Sequence, residues 1–526
     1  MNPSTPFHEL GDFVALPRVA ALRLAPDGTW LAAAVQTLSA DKKKYLTSIW
    51  RIDAAGGPAR RLTRSAGGEG SPRFLPDGSL LFTSSRADPA AKKDPEAGDV
   101  AALWLLPAAG GEARVVAALP GGVTAAEVAR DAGAIVVGAP VLPAAGNGDS
   151  AADDTRLRQE RKDAGITAIL HESAPVRFWD HDLGPDQPRL FAVDPDQVQE
   201  TEIGWAGGDK EPALADDTAV GAVEGAERAA NPARLRDLTP EPGRALDGAA
   251  FELTPDGASV ITGWWRWEPA GESRCELVAI DVASGKRRVL LSVPEFDFDN
   301  PRVSPDGQII ACLRERHATG RRPVDLTVVL LDTDAADAAD TSGPGRDLLA
   351  GWDRWPNELA WAHDSSALYL TADDGGRCPV FRVDAGSGEV TRVTADDGAY
   401  TDLNPSPDGR YLYALRAAVD SPPTPVRIDL TTGAEPGALD CPGVPVTLPG
   451  RLEEVTAAAE DGQPVRAWLV LPEGAAADRP APLLLWVHGG PMSSWNSWSW
   501  RWNPWLMAAR GYAVLLPDPA LSTGYG

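Results

Sequence analysis

The stretch LLLWVHGGPMSSWNSWSWRWNPW, Leu483 to Trp505, concentrates the residues most suited to chemistry. An apolar run ends in His488-Gly489-Gly490-Pro491, and Trp495, Trp498, Trp500, Trp502 and Trp505 follow. Glycine serves where main chain must come close to something, because no Cβ stands in the way. The tryptophans have two uses. They can pack a loop and helix against a sheet, or one or two of them can line a pocket for an apolar substrate side chain. Trp495, Trp498 and Tyr525 are the candidates for the second use. Trp179, in RFWDHD, carries the same two uses, with Asp180 and Asp182 as binders of a substrate amino terminus.

Other reactive residues are sparse. Hydrolysis through a serine commonly uses G-x-S-x-G, with the acid and the histidine later in the chain. No serine stands in that motif. Ser387, in AGSGE, reads as a turn between strands, and Ser522 sits in a loop after a strand. The six histidines are His8, His171, His181, His317, His363 and His488, and none lies far beyond the glycines. Cys275, Cys312, Cys378 and Cys441 form no C-x-x-C and no cluster of zinc-like spacing. No metal and no other cofactor is expected, and free thiols fit a cytoplasmic protein.

Two kinds of element must hold these residues. The first is a repeat. LRLAPDGTWLAAAV from Leu22, PRFLPDGSLLFTSS from Pro72, FELTPDGASVITGWW from Phe251, PRVSPDGQIIACLRE from Pro301 and LNPSPDGRYLYALRA from Leu403 share one plan. Weaker copies start at Ala126 and Leu359. Each is a strand, a tight turn and a second strand: Pro presets φ, Asp bonds its local backbone and Gly accepts positive φ. Each copy leads to a second phrase, such as IWRIDAAGGPARRLT from Ile49 or VFRVDAGSGEVTRVT from Val380. The turn aspartates or their equivalents stand at 27, 77, 131, 256, 306, 364 and 408. Most steps are near fifty, the length of a four-stranded propeller blade. The long step, 131 to 256, holds an insertion near 144–188, with a polar front and an aromatic end expected to pack. A seven-bladed β-propeller over 1–445 is therefore expected, and its turn aspartates are assigned to turns and not to metal binding or catalysis.

The second element is different. From 446 to 526, a strand pair around a D-G turn precedes the run APLLLWVHGGP, which reads as a strand buried on both faces. A helix is expected from about Pro504 to Arg510, stopped by Gly511, and a buried strand from Tyr512 to Leu516. Strand, helix, strand is the pattern of a parallel α/β sheet.

A strand ending in His-Gly-Gly resembles the oxyanion loop of α/β-hydrolases. With a propeller before it and GYAVLLPDPALSTGYG after it, the chain resembles the prolyl oligopeptidase family of serine peptidases, in its acylaminoacyl-peptidase and dipeptidyl-peptidase-like branch. The resemblance implies an oxyanion-binding N–H on Gly490, a structural His488 that orients the loop, and short peptides as substrates. The family's Arg-Gly-Ser-Thr-Gly-Tyr-Gly run corresponds to Ala520–Gly526 here, without the Arg. A full hydrolase domain of this kind takes roughly 200 residues, against the 77 from 450 to 526. The expected fold is thus a propeller followed by the N-terminal part of an α/β-hydrolase domain, without its nucleophile elbow. The triad is expected beyond Gly526, and the chain as it stands is expected to be inactive.

Composition bounds the alternatives. The 526 residues are 43% hydrophobic and 24% charged, with a formal net charge of −26 and a pI near 4.6. That acidity argues against nucleic acid, whose phosphates need a basic face. No secretory leader and no run of eighteen apolar residues appears, so no membrane partner is expected. Two other functions suit the same features: a non-catalytic propeller that binds peptides or proteins, and an acyl-ester hydrolase on the same frame.

Overall fold

The structure, a computed structural model, describes residues 5–87, 100–146, 150–171, 174–178, 180–194, 235–268, 271–333, 343–443, 445–490 and 492–525. Trp179, Pro491 and Gly526 lie outside these residues.

Each copy of the repeated phrase forms the first two strands of its own antiparallel sheet. In the first sheet, Arg18–Leu24 pairs with Trp30–Leu38, which pairs with Tyr45–Asp53 and then Arg60–Arg61. Six further four-stranded sheets span 69–117, 125–237, 251–291, 296–347, 356–392 and 399–438. The turn chemistry is as read. Asp27 Oδ1 accepts the Thr29 N–H at 2.9 Å, Gly28 N–H reaches the Ala25 carbonyl at 2.9 Å, and Gly28 has φ +72°. In the weaker copies Gly133 and Ser365 take the left-handed position, at +67° and +61°.

The turns also interlock between sheets. A Cβ on Gly28 would stand 3.0 Å from Pro407, in the turn of the seventh sheet. One on Gly133 would stand 3.2 Å from Pro76, and one on Gly307 3.6 Å from Pro255. Here the glycine answers to a neighbour as well as to its own φ.

The innermost strands, Arg18–Leu24, Glu69–Phe74, Ala125–Val128, Phe251–Leu253, Phe296–Val303, Pro356–Trp361 and Ala399–Pro405, touch one another in series. The last also touches the first. That seam is held by Arg23 to Asp402 at 2.6 Å, by Leu24 N–H to Asn404 Oδ1 at 3.0 Å, and by Val19 and Leu22 packed with Tyr413 and Leu415. Four residues before the turn aspartate, five of the seven innermost strands carry a charge: Arg23, Arg73, Glu127, Glu252 and Arg302. These residues line a cavity of about 390 Å³. Burial pushes the Glu252 carboxyl up to about 7, against the pull of Arg302 and the Val303 N–H.

The C-terminal part forms an eighth sheet. Gly450–Ala458 and Pro464–Pro472 are an antiparallel hairpin, Ala513–Asp518 runs antiparallel to Pro464–Pro472, and Leu483–Leu485 lies parallel to Ala513–Asp518 at the edge. The helix is one turn, Trp505–Ala508, and Gly511 follows at φ +84°. The strand expected at Tyr512–Leu516 lies at Ala513–Asp518.

Two expectations are corrected. The run after Pro482 is not buried on both faces: Leu483, Leu485 and Val487 are 58%, 60% and 62% exposed. The strand has one neighbour, and no described helix covers its outer face. The aromatic end of the insertion does not pack inward, since Phe178 is two-thirds exposed on the small hairpin Arg177–Phe178 and His181–Asp182. Near the N-terminus, Phe7 and Phe13 join the core of the C-terminal sheet. Both rings are buried in the same cluster as Trp468, Trp498 and Trp505 of the C-terminal part.

Candidate active site

The short parallel strand delivers His488, Gly489 and Gly490 to the end of the C-terminal sheet. Gly490 is exposed and has φ +136°, a conformation that favours glycine. A Cβ there would come 2.5 Å from the Met492 backbone nitrogen. His488 Nδ1 lies 2.9 Å from the Gly489 carbonyl oxygen. That oxygen can only accept, so Nδ1 carries the proton and donates. The Gly489 C=O and the Gly490 N–H belong to one planar trans peptide and point opposite ways. Holding the first therefore aims the second.

The other ring nitrogen of His488 meets Ser522 Oγ at 2.8 Å and lies 3.8 Å from Asp518 Oδ1. A serine, a histidine and an aspartate thus come together, although Ser522 stands in no G-x-S-x-G. They do not form a catalytic triad. A triad puts the nucleophile on one imidazole nitrogen and the carboxylate on the other, so that the carboxylate supports the ring as it takes a proton. Here both face Nε2, and Nδ1 is spent on the main chain. Ser522 is 8% exposed. The arrangement suits holding a loop.

Asp518 is the hub of that loop. Its side chain is fully buried. It accepts from Ser494 Oγ at 3.0 Å, Trp495 N–H at 2.9 Å and Tyr525 OH at 2.7 Å, with Arg466 Nη1 at 3.6 Å. Burial, then the bond to Asp518, push the Tyr525 hydroxyl up from its ordinary value. Proximity to Asp518 could not be read from sequence, because strand register decides it.

The tryptophans divide. Trp498 is 8% exposed, against Phe7 and Trp500, and Trp505 is fully buried with its Nε1 donating to the Val419 carbonyl at 2.9 Å. Both serve packing. Trp495 is half-buried, its ring centroid 6.5 Å from that of His488, and its carbonyl accepts from Trp468 Nε1 at 2.9 Å. Of the candidates for lining a pocket, Trp495 and Tyr525 stand beside the His488 loop, and Trp498 lies against Phe7 and Trp500.

The propeller part reaches the same place through one loop of the sixth sheet. Asp373, just past the strand Ala367–Ala372, accepts from Asn496 Nδ2 at 2.7 Å and from the Thr523 hydroxyl. Gly375 N–H donates to the Gly524 carbonyl at 3.1 Å. Burial pushes the Asp373 carboxyl up, while hydrogen bonds from Thr523, Cys378 and Asn496 act the other way. Sequence reading missed Asp373, which lies in no motif.

No family profile matches the chain. It is 28% identical over 262 residues to dipeptidyl-peptidase 5 of Schizosaccharomyces pombe, covering 49% of this chain and 36% of that protein. The chain thus spans about a third of the length of that curated relative. Among solved structures it is similar to an acylaminoacyl peptidase of Pyrococcus horikoshii, with a TM-score of 0.64 and 14% identity over 98% of this chain and 67% of the other. It is also similar to a puromycin-hydrolyzing peptidase of Mycobacterium tuberculosis, with a TM-score of 0.60 and 15% identity over 100% of this chain and 69% of the other. Among the described residues, no helix is long and apolar enough to cross a membrane. By sequence the chain is similar to dipeptidyl-peptidase 5, and by fold to peptidases that combine a β-propeller with an α/β-hydrolase sheet.

Proposed function

We propose that this chain supplies the propeller and the opening strands of a serine peptidase that hydrolyses short peptides. The propeller is read as seven-bladed, and the cyclic contacts of seven innermost strands support that reading. The observation that carries the function is the His488–Gly489 bond, which presents the Gly490 N–H at an exposed strand end. In the intact enzyme a serine Oγ attacks the substrate carbonyl carbon and its proton passes to a histidine. The tetrahedral oxyanion takes a hydrogen bond from Gly490 N–H. The C–N bond then breaks, the amine leaves with the histidine's proton, and water hydrolyses the acyl-enzyme. The nucleophile, acid and base are assigned to sequence outside these 526 residues, and Trp495 and Tyr525 to the border of the substrate pocket. The propeller limits access to small, flexible peptides. A cytoplasmic location is part of the same reading.

The test compares this chain with a form extended along its own reading frame. The extended form is expected to carry a G-x-S-x-G serine, to react with a fluorophosphonate and to cleave aminoacyl anilides. This chain is expected to do neither. Absence of such a serine within roughly a hundred further residues, on ordinary domain sizes, contradicts the proposal, as does hydrolysis by this chain alone.

A further inference from the structure

We propose that Asp373, on the propeller's sixth sheet, is a positioning residue that sets the Gly490 amide from across the domain boundary. The inference rests on the peptidase reading for its catalytic meaning, but its physical content is separate. The two carboxylate oxygens of Asp373 serve two different loops. Oδ1 takes Asn496, six residues past Gly490, and Oδ2 takes Thr523, next to Ser522. Those two loops are also tied directly, by Thr523 N–H to the Ser493 carbonyl at 3.0 Å. Ser522 in turn bonds His488 Nε2, and His488 Nδ1 holds the Gly489 carbonyl. A continuous path of hydrogen bonds and single backbone steps therefore runs from a propeller loop to the peptide that carries the Gly490 N–H.

The contact is built closely. Gly524 has φ +87°, and a Cβ on it would stand 2.7 Å from Asp373 C and 2.7 Å from Asp374 N. These are main-chain atoms, so the loops meet backbone to backbone. Asp374, the next residue, faces the other way. Its carboxylate pairs with Arg354 at 3.0 Å and Arg392 at 2.6 Å, both within the propeller. Adjacent carboxylates thus separate a role across the boundary from a role inside one sheet. The docked propeller holds the oxyanion loop in shape through Asp373, and a displaced propeller releases it.

The experiment uses this chain with its six histidines labelled with 15N, the His488 signals being assigned from His488→Gln. In the wild type, His488 is expected to show one fixed ring state, with the Nδ1 proton held on the Gly489 carbonyl. In Asp373→Ala that pattern is expected to collapse toward exchange-averaged tautomers, and the Trp495 and Thr523 amides to exchange at least about tenfold faster, as expected for local opening. Asp373→Asn keeps one carbonyl acceptor and should restore part of the pattern, which also covers failure of the alanine variant to fold. Asp374→Asn should leave His488 as in the wild type. Unchanged His488 signals in both Asp373 variants, or an equal response in Asp374→Asn, overturns the inference. None of these readouts needs a nucleophile. An extended chain without peptidase activity but with the His488 response would therefore reject the functional reading and keep this one.

Discussion

Alanine at Gly490 and alanine at Gly489 should behave differently, although the two glycines are neighbours in one motif. Gly490 has φ +136°, and an added Cβ would stand 2.5 Å from Met492 N and 3.1 Å from Met492 C. Main-chain atoms cannot swing aside as the end of a long side chain can. Holding a non-glycine residue in such a conformation costs about 1–3 kcal/mol. If the loop relaxes by turning the Gly489–Gly490 peptide, the bond from His488 is lost as well, about 1 kcal/mol more. The sum is about 2–4 kcal/mol. Gly489 lacks a positive φ, and a Cβ there meets nothing within 4 Å, so its alanine variant should stay within about 0.5 kcal/mol of the wild type. Urea unfolding followed by tryptophan fluorescence reads both, because the C-terminal part carries Trp495, Trp498 and Trp505. In an extended, active form the same Gly490→Ala change should lower kcat by about 10²–10³, the usual loss for one oxyanion donor. Equal stability of the two variants would refute the reasoning from loop geometry.

Two further outcomes follow from packing and charge. Trp505→Ala removes a fully buried ring and orphans the Val419 carbonyl, and should cost about 3–5 kcal/mol by calorimetry or urea titration, whereas Trp502→Ala, at a ring 57% exposed, should cost below about 1 kcal/mol. The Glu252 carboxyl is pushed from 4.5 up to about 7 by burial, with Glu127 adding to the rise and Arg302, the Val303 N–H and Arg73 opposing it. Its folded-state value is raised, so its contribution is full below about pH 4.5, falls as pH rises toward 7 and levels off above, a change on the order of 3 kcal/mol. Glu252→Gln should flatten that part of the stability profile, as measured by urea midpoints from pH 4 to pH 8.

Much of the fold could be read before any coordinates. Pro, Asp and Gly at fixed offsets specify a turn locally, and Asp27, Asp256 and Asp408 make the bonds their residue type suggests. What those turns do to their neighbours was not legible. The contact of Gly28 with Pro407 joins residues 379 positions apart. The site was legible in part. Two glycines after an apolar run marked the loop, but the bond of His488 to Ser522 depends on how a parallel strand registers with Ala513–Asp518. The exposed face of Leu483 and Leu485 was misread for a related reason. Apolarity reports what a strand needs covered, and not whether a neighbour covers it within these residues.

The central claim is that Gly490 offers its amide to the charge formed during acyl transfer. It is tested most directly by a crystal structure of the extended protein with a peptide boronate bound to its nucleophilic serine. The account predicts a boronate oxygen within about 2.7–3.1 Å of Gly490 N, the distance such donors keep, with His488 Nδ1 still on the Gly489 carbonyl. A boronate whose oxygens all bond elsewhere, with Gly490 N facing away from it, would contradict the account.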